Sequence, residues 1–115
     1  MADDCLFCKM AAGTVKPDTV YEDDEFLAFR DINPQAPVHV LIIPKRHIAT
    51  LNDVDTADAP LMGRLLLVAK HIARESGVAD AGYRTVISVN RGGGQSVFHL
   101  HLHLLGGRHM KWPPG

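Results

Sequence analysis

The sequence predicts an α+β domain, and three observations lead to this fold class. Short segments rich in β-branched and aromatic residues are separated by tight turns, which is typical of an antiparallel sheet. One long segment, from about Asp58 to Ser76, carries apolar residues at helical spacing. The segments do not alternate regularly between strand and helix, so a doubly wound parallel sheet is not expected. The 115 residues are enough for a single domain over positions 1–115 with its own core.

The first half of the chain is predicted to contain one short helix and three strands. The helix covers Cys5–Ala12, with Asp3 or Asp4 as its N-cap and Gly13 just after its end. A loop over residues 31–37 contains two prolines, which separate the second strand from the third. The predicted strands are Thr19–Glu22, Phe26–Arg30 and Val38–Pro44.

The second half begins with the long helix, which Gly77 ends. Leu66 and Leu67 widen the apolar face of this helix beyond one stripe, and a helix of this kind often packs against a second surface. We therefore expect a homodimer. The remaining predicted elements are a strand over Tyr83–Asn90, a glycine-rich loop over Arg91–Gln95 and a strand over Ser96–Leu105.

Charge and hydropathy restrict the classes of partner. The formal net charge is −1 and the pI is near 6.6, so the chain has no overall attraction to nucleic acid or to anionic membranes. The acidic start of the sequence argues against a signal peptide, and no apolar run approaches the ~20 residues of a membrane span. We expect a cytoplasmic protein without nucleic-acid or membrane partners.

The stretch His99-Leu100-His101-Leu102-His103-Leu104-Leu105 has the strongest chemical signal. Side chains at i, i+2 and i+4 of a strand share a face, so the three histidines would lie on one face and the leucines on the other. Imidazole titrates near neutral pH and serves as a base, an acid, a nucleophile or a metal ligand. The pattern therefore predicts a strand with reactive imidazoles on one face and leucines that pack against the core on the other.

Two nearby features strengthen this prediction. Gly92, Gly93 and Gly94 precede the three histidines, and glycines let backbone N–H groups converge on an anion such as phosphate. His39 lies on the aliphatic third strand, where a strand neighbour would bring it within reach of the histidine face. The alternative for His39 is a core histidine with its hydrogen bonds satisfied.

The chain resembles the histidine-triad (HIT) nucleotide-binding family, whose signature His-φ-His-φ-His-φ-φ (φ is an apolar residue) matches residues 99–105. Several further blocks are similar to the Hint branch of that family, namely residues 26–37, 39–47, 93–97 and 112–115. The Gln35-Ala36-Pro37 block and the Trp112-Pro-Pro-Gly115 ending favour this branch over the dinucleoside-polyphosphate branch. The resemblance extends over nearly the whole chain.

The resemblance implies a HIT-like fold with a five-stranded antiparallel sheet, two helices and a homodimer whose sheets join across the interface. It also implies hydrolysis of purine nucleoside 5′-phosphoramidates, of the kind in which AMP or GMP is linked to an amine. The middle histidine, His101, would form a nucleotidyl-histidine intermediate. Two alternatives stay open, a dinucleoside polyphosphate hydrolase and a nucleotide-binding regulatory protein with little turnover.

The resemblance also assigns residues to roles. The implied catalytic residues are His101, His39, His103 and Ser96, and the backbone carbonyl of His99 would fix the tautomer of His101. Trp112 would reach the partner subunit's site. Ser88 stands where many Hint proteins have an asparagine, which predicts weaker phosphate contacts or a lower rate unless Asn90 compensates. The implied nucleotide-binding residues are Phe7, Val15, Phe29, Arg30, Asp31, Ile32, Ser88, Gly94, Gln95, Ser96, His101 and His103.

Cys5 and Cys8 form a C-x-x-C pair, which in a cytosolic protein favours metal binding over a disulfide. Structural zinc needs four Cys or His ligands, and spacing alone does not choose among the seven histidines. Resemblance to zinc-bearing members of the superfamily adds His47 and His99 to the two cysteines. Two reduced thiols without a metal, or a redox pair, are the alternatives.

Overall fold

A five-stranded antiparallel sheet forms the centre of the structure, a computed structural model that describes residues 4–115. The strand order across the sheet is β1-β2-β3-β5-β4, so β3 and β5 lie side by side in the middle. The strands are β1 Thr19–Glu22, β2 Phe26–Arg30, β3 Val38–Pro44, β4 Tyr83–Val86 and β5 Leu102–Gly106. The α-helices are α1 Leu6–Ala11 and α2 Ala59–Glu75.

The two helices cover opposite faces of the sheet. Alternation along β2, β3 and β5 sends Ala28, Ile42 and Leu104 toward α2, where each is fully buried. The intervening residues Leu27 and Leu41 pack with α1 on the other face. The buried face of α2 consists of Leu61, Leu65, Val68, Ala69, Ile72 and Ala73. The sheet therefore has a thick core on one face and a thinner, chemically equipped layer on the other.

Both helices begin and end close to the predicted residues. Gly13 and Gly77 follow the ends of α1 and α2 with φ of +82° and +76°, a backbone conformation that glycine adopts without strain. The N-cap of α1 is Cys5, whose Sγ accepts from the backbone N–H of Cys8 at 3.4 Å. The prediction of Asp4 as the cap is therefore wrong, and Asp3 lies outside the described residues.

Two strands are shorter than predicted, because their backbone groups have partners outside the sheet. Before β5, the N–H of Leu100 donates to the carbonyl of Ile48 at 2.6 Å, and the carbonyl of His99 accepts from a side chain. After β4, Asn90 has φ of +59° and its carbonyl accepts from two N–H groups of the glycine-rich loop. Neither segment can continue the ladder, so only His103 of the three histidines lies within a strand.

Within residues 4–115, no helix is both long and apolar enough to cross a membrane.

Candidate functional site

Seven side chains form two adjacent groups on the α1 face of the sheet. The first group, called the metal cluster below, consists of Cys5, Cys8, His47 and His99. The second, called the histidine relay, consists of Asp31, His39 and His103. His101 lies between the two groups. It follows the cluster residue His99 by two positions in the chain, and the centroid of its ring is 5.0 Å from that of the His103 ring.

The metal cluster brings four donor atoms to nearly one point. Nδ1 of His99 lies 3.3 Å from Sγ of Cys5, 3.4 Å from Sγ of Cys8 and 3.2 Å from Nδ1 of His47. Nδ1 of His47 is also 3.2 Å from Sγ of Cys8. One ring nitrogen with three close neighbours of this kind cannot be satisfied by a single hydrogen bond.

The second ring nitrogen of His99 fixes its tautomer. Nε2 donates to the carbonyl of Pro44 at 2.7 Å, at the end of β3, and the ring is fully buried. Nδ1 is then the unprotonated atom, and its lone pair points into the cluster. A backbone carbonyl that orients a histidine in this way is the usual outer partner of a metal-bound imidazole. Burial keeps the pKa of His99 below its ordinary value, so the ring stays neutral as a ligand must.

These four residues fit a metal ion of the zinc type. Two thiolates and two imidazoles are the donor set of a closed structural zinc site, and donors bound at about 2.0–2.3 Å in a tetrahedron would lie about 3.3–3.8 Å apart. The observed separations of 3.2–3.4 Å are close to that spacing. Because protein side chains would fill all four coordination positions, a metal here would have no open position for water or substrate. It would therefore stabilise the fold.

His101 has its two ring nitrogens in different environments. Nδ1 donates to the carbonyl of His99 at 2.7 Å, so Nε2 is left unprotonated in the neutral ring. The ring is mostly buried and meets the edge of Phe7 at 5.2 Å between centroids. His101 also lines a cavity of about 620 Å³ on this face. The geometry therefore presents the Nε2 lone pair of His101 as a nucleophile.

The histidine relay gives His103 the opposite role. The backbone N–H of Gln35 donates to Nδ1 of His39 at 3.0 Å, so the proton of neutral His39 is on Nε2. That Nε2 donates to Nδ1 of His103 at 2.9 Å, which leaves the proton of His103 on its own Nε2. His103 is thereby an N–H donor beside the cavity, next to a ring that offers a lone pair.

Burial keeps both relay histidines neutral near pH 7. Desolvation lowers the pKa of His39, and the Asp31 carboxylate, whose Oδ2 is 3.4 Å from Nε2, partly offsets this. The pKa of His103 falls to about 4, mainly through burial and further through the neighbouring His101 and His39. A neutral pair is required for the donor pattern described above, because a protonated His103 could not accept from His39.

The cavity beside these histidines has a volume of about 620 Å³. An apolar floor and a polar end give it the character of a small-molecule site. Nine of the residues predicted to take part in the site line it: Phe7, Val15, Phe29, Arg30, Asp31, Ile32, Ser96, His101 and His103.

Four of the residues predicted to be catalytic or nucleotide-binding do not line this cavity. His39 lies behind His103 in the relay, Ser88 lies in the irregular segment between β4 and the glycine-rich loop, and Gly94 lies in a turn of that loop. The side chain of Gln95 is buried within that loop. Its Oε1 accepts from the N–H of Asn90 at 2.8 Å, and its Nε2 donates to two backbone carbonyls. In this structure Gln95 holds the loop together, and its contact with phosphate stays a prediction.

Sequence reasoning missed seven lining residues: Leu6, Met10, Lys16, Pro17, Asp18, Leu41 and Val97. Leu41 had a usable signal, because alternation on β3 places it on the same face as His39. Met10 had another, since it is three residues from Phe7 and a helix places such residues together. Lys16 to Asp18 follow α1 in an irregular segment, and no periodicity indicates where such a segment will lie.

Comparison with known proteins identifies the class of protein that this fold and these clusters define. The family model described as the HIT domain matches residues 13–110. The chain belongs to the HIT-domain family, whose members bind nucleotides and include hydrolases.

Individual relatives are similar along nearly their whole length. An uncharacterized HIT-like protein of Synechococcus elongatus is 52% identical over 115 residues, which is all of both chains. The purine nucleoside phosphoramidase of Escherichia coli is 49% identical over 108 residues, 94% of this chain and 91% of that one. The crystal structure of a HIT family hydrolase from Legionella pneumophila superimposes with a TM-score of 0.96 at 58% identity, over 97% of this chain and 100% of that chain.

Proposed function

We propose that this protein hydrolyses purine nucleoside 5′-phosphoramidates through a covalent intermediate on His101. The observation that carries the proposal is the paired orientation of two neighbouring rings. His101 donates through Nδ1 to the His99 carbonyl and offers Nε2 as a lone pair, whereas His103 accepts at Nδ1 and offers Nε2–H. A phosphoryl group between them would meet a nucleophile and a hydrogen-bond donor. The similarity to a purine nucleoside phosphoramidase supports the same substrate class.

The proposed reaction has two steps. In the first, Nε2 of His101 attacks the α-phosphorus, the bond from phosphorus to the amine nitrogen breaks, and the amine leaves with a proton taken up from solvent. In the second, water attacks the same phosphorus and gives up a proton to solvent, the bond from phosphorus to Nε2 breaks and releases the nucleoside 5′-monophosphate, and His101 recovers its free lone pair. Covalent catalysis divides one difficult displacement into two easier ones. His103 would donate to a phosphate oxygen in both steps, and Ser96 would lie near the departing amine.

The binding residues follow from the lining of the cavity. The base would lie against the apolar wall formed by Phe7, Val15, Phe29 and Ile32. The Asp31 carboxylate, at the cavity edge, suits the ribose hydroxyls as an acceptor. Arg30, Ser88, Gly94 and Gln95 complete the proposed nucleotide contacts.

Two further parts belong to the proposal. Zinc would occupy the metal cluster as a structural ion, held by Cys5, Cys8, His47 and His99. Residues 1–115 would form one HIT domain that assembles as a cytoplasmic homodimer, with its sheets joined across the interface. Leu66 and Leu67 support the dimer, because both are more than half exposed on α2 at 54% and 62%. Trp112, which is 82% exposed, would contact the partner subunit's site.

A comparison of cleavage rates on different substrates tests the proposed function. AMP linked to an amine should be cleaved to AMP and free amine, and diadenosine polyphosphates should react far more slowly. Faster cleavage of the diadenosine substrates would favour a dinucleoside polyphosphate hydrolase. Tight AMP binding with no turnover of any substrate would favour a nucleotide-binding regulatory protein.

Metal content tests the proposed zinc site, and molecular mass tests the proposed homodimer. Protein purified without added metal should contain one zinc per chain, and light scattering should give the mass of two chains. Freely titrating thiols with less than stoichiometric zinc would overturn the metal assignment. If light scattering gives the mass of one chain both for the parent protein and for a variant in which Leu66 and Leu67 are replaced by arginine, the dimer is overturned.

A further inference from the structure

Helix α1 needs tertiary contacts to hold its position. It has six residues, and isolated helices of this length are unstable in water. In the described part of the chain, backbone hydrogen bonds from Lys9, Ala12, Gly13, Thr14 and Val15 run to carbonyls of Cys5, Cys8, Lys9 and Met10. These bonds stay inside the segment from Cys5 to Val15, so they shape it without attaching it to the sheet.

Two kinds of contact attach α1 to the rest of the protein. Phe7 packs against Phe29 on β2 and against His101, with ring centroids 5.4 Å and 5.2 Å apart. On its other side, Sγ of Cys5 lies 3.3 Å from Nδ1 of His99, and Sγ of Cys8 lies 3.2 Å from Nδ1 of His47 and 3.4 Å from Nδ1 of His99. A neutral thiol gives an imidazole nitrogen only a weak S–H hydrogen bond, whereas a metal bound by the two thiolates and two imidazoles would join α1 strongly to these histidines.

The same segment forms one side of the nucleotide cavity. Leu6, Phe7 and Met10 of α1 line it, and Val15 to Asp18 continue the wall immediately after the helix. The sheet supplies the opposite side through Phe29, Leu41 and His103. One wall of the cavity is thus built on the paired strands, and the other is built on a short helix whose N-cap and first turn carry the two thiol ligands.

We propose that the metal cluster sets the affinity of the nucleotide pocket, because the metal holds α1 in place as the wall that contacts the base. Metal and nucleotide would then bind with positive coupling. This inference rests on the proposed function, since it assumes that the cavity takes a nucleotide. Thermodynamic linkage makes the coupling reciprocal, so nucleotide must tighten metal binding by the same factor by which metal tightens nucleotide binding.

Coupling should act on binding more than on the chemical step. Nε2 of His99 bonds to the Pro44 carbonyl, which is not part of the metal cluster, and His101 donates to the backbone of His99 rather than to its side chain. The orientation of the nucleophile is therefore secured by the main chain. The position of Phe7 has no such second support from backbone hydrogen bonds to the sheet among the described residues.

The first experiment measures AMP affinity with and without metal. Protein loaded with one zinc per chain and protein treated with a chelator are titrated with AMP by calorimetry, after circular dichroism has verified that both are folded. We expect the Kd of AMP to rise about tenfold on metal removal, with kcat for a phosphoramidate changed much less than KM. Equal affinities in the two folded forms would overturn the inference. If the loaded protein binds no AMP, the proposed function fails instead.

The second experiment uses only the folded, loaded protein and follows extraction of zinc by a chromogenic chelator. Saturating AMP should lower the fraction of zinc extracted at equilibrium, and it should do so in proportion to the change in AMP affinity. Free AMP is itself a weak metal ligand and would act in the opposite direction. Extraction that is unaffected by saturating AMP would overturn the inference, whether or not the metal-free protein folds.

A pair of variants separates the wall on α1 from general stabilisation by ligand. Phe7→Ala removes the side chain that joins the metal cluster to the cavity but leaves all four ligands, so AMP should no longer protect zinc even where it saturates the site. Ile32→Ala removes a fully exposed side chain that lines the cavity just after β2, so AMP should bind less tightly but still protect zinc. Equal protection in both variants at saturating AMP would contradict a special role for α1.

Discussion

His99 and His101 are two residues apart, yet their surroundings give them different tasks. His99 is fully buried and both of its ring nitrogens have partners, one at the Pro44 carbonyl and one in the metal cluster. His101 has one nitrogen fixed by the His99 carbonyl and the other unprotonated at a cavity of about 620 Å³. A histidine with both nitrogens engaged stabilises the fold, and a histidine with one nitrogen left free can react.

The main chain between the two rings makes this difference possible. Because the segment before β5 leaves the ladder, the His99 carbonyl can accept from the side chain of His101 rather than from a neighbouring strand. The bond from the Leu100 N–H to the Ile48 carbonyl replaces part of the ladder bonding that this segment lacks. The motif thus connects the metal cluster to the nucleophile through a single peptide carbonyl.

The largest expected effect comes from removing the free nitrogen. His101→Ala should lower kcat for an AMP-amine substrate by about 10³-fold or more, because the covalent route is lost. Zinc content and melting temperature should stay close to those of the parent protein. His71→Ala, an exposed histidine on α2, serves as the matched control with normal turnover. Turnover by His101→Ala at the parental rate would show that the nucleophile is elsewhere.

Removing the buried histidine should act mainly on stability. His99→Ala deletes a metal ligand and leaves the Pro44 carbonyl without its donor, so the free energy of unfolding should fall by about 3 kcal/mol or more. Denaturant titration with zinc analysis measures both losses. His47→Ala should also lose the metal but should cost less stability, because the His99–Pro44 bond remains. Equal costs for the two variants would contradict a separate contribution from that bond.

The pH dependence of stability tests the relay. The pKa of His103 is about 4 in the folded protein against an ordinary value of 6.5, so the unfolded chain takes up the proton first as pH falls. This contribution to stability is complete above pH 6.5 and is lost as pH falls toward 4. Between pH 7 and pH 5 the loss should be about 1–2 kcal/mol for a partly solvated ring. His103→Asn should remove that part of the slope, and an unchanged slope would contradict the assignment.

The smallest expected effect concerns the leaving group. Ser96→Ala should reduce kcat for an alkylamine phosphoramidate by about tenfold, equivalent to ~1.4 kcal/mol, if the hydroxyl interacts with the departing nitrogen. An arylamine leaves more easily and should show a weaker dependence on Ser96. Steady-state kinetics on the two substrates gives the comparison. An equal loss of kcat for both substrates would indicate that Ser96 contributes to substrate binding rather than to the departure of the amine.

Much of the fold could be predicted because its patterns are local. Val38–Pro44 is a run of aliphatic and β-branched residues and forms β3 with the predicted bounds. The spacing of Leu61, Leu65 and Ile72 likewise indicates a helix with one buried face, and α2 confirms it. Such elements are specified by periodicity and by the residues that end them.

The parts that could not be predicted depend on partners distant in sequence. The strand predicted over Ser96–Leu105 is shorter because Leu100 bonds to Ile48, a residue about 50 positions earlier that no periodicity connects to it. The buried position of Gln95, with its amide used by the glycine-rich loop, has the same origin. The histidine pattern could indicate a reactive surface, whereas the difference between His99 and His101 depends on the Pro44 carbonyl.

Native mass spectrometry tests the separation of the two histidines most directly, because it reports bound metal and covalent nucleotide on the same molecule. Samples are mixed rapidly with an AMP-amine substrate and kept at neutral to alkaline pH, since a nucleotidyl-histidine is labile in acid. The parent protein should carry one zinc per chain and an adenylyl group that fragmentation places on His101. His101→Ala should keep the zinc and form no adduct, and His99→Ala should lose the zinc. An adduct on His99 or His103, or loss of zinc from His101→Ala, would contradict the division between a histidine that holds the fold and one that reacts.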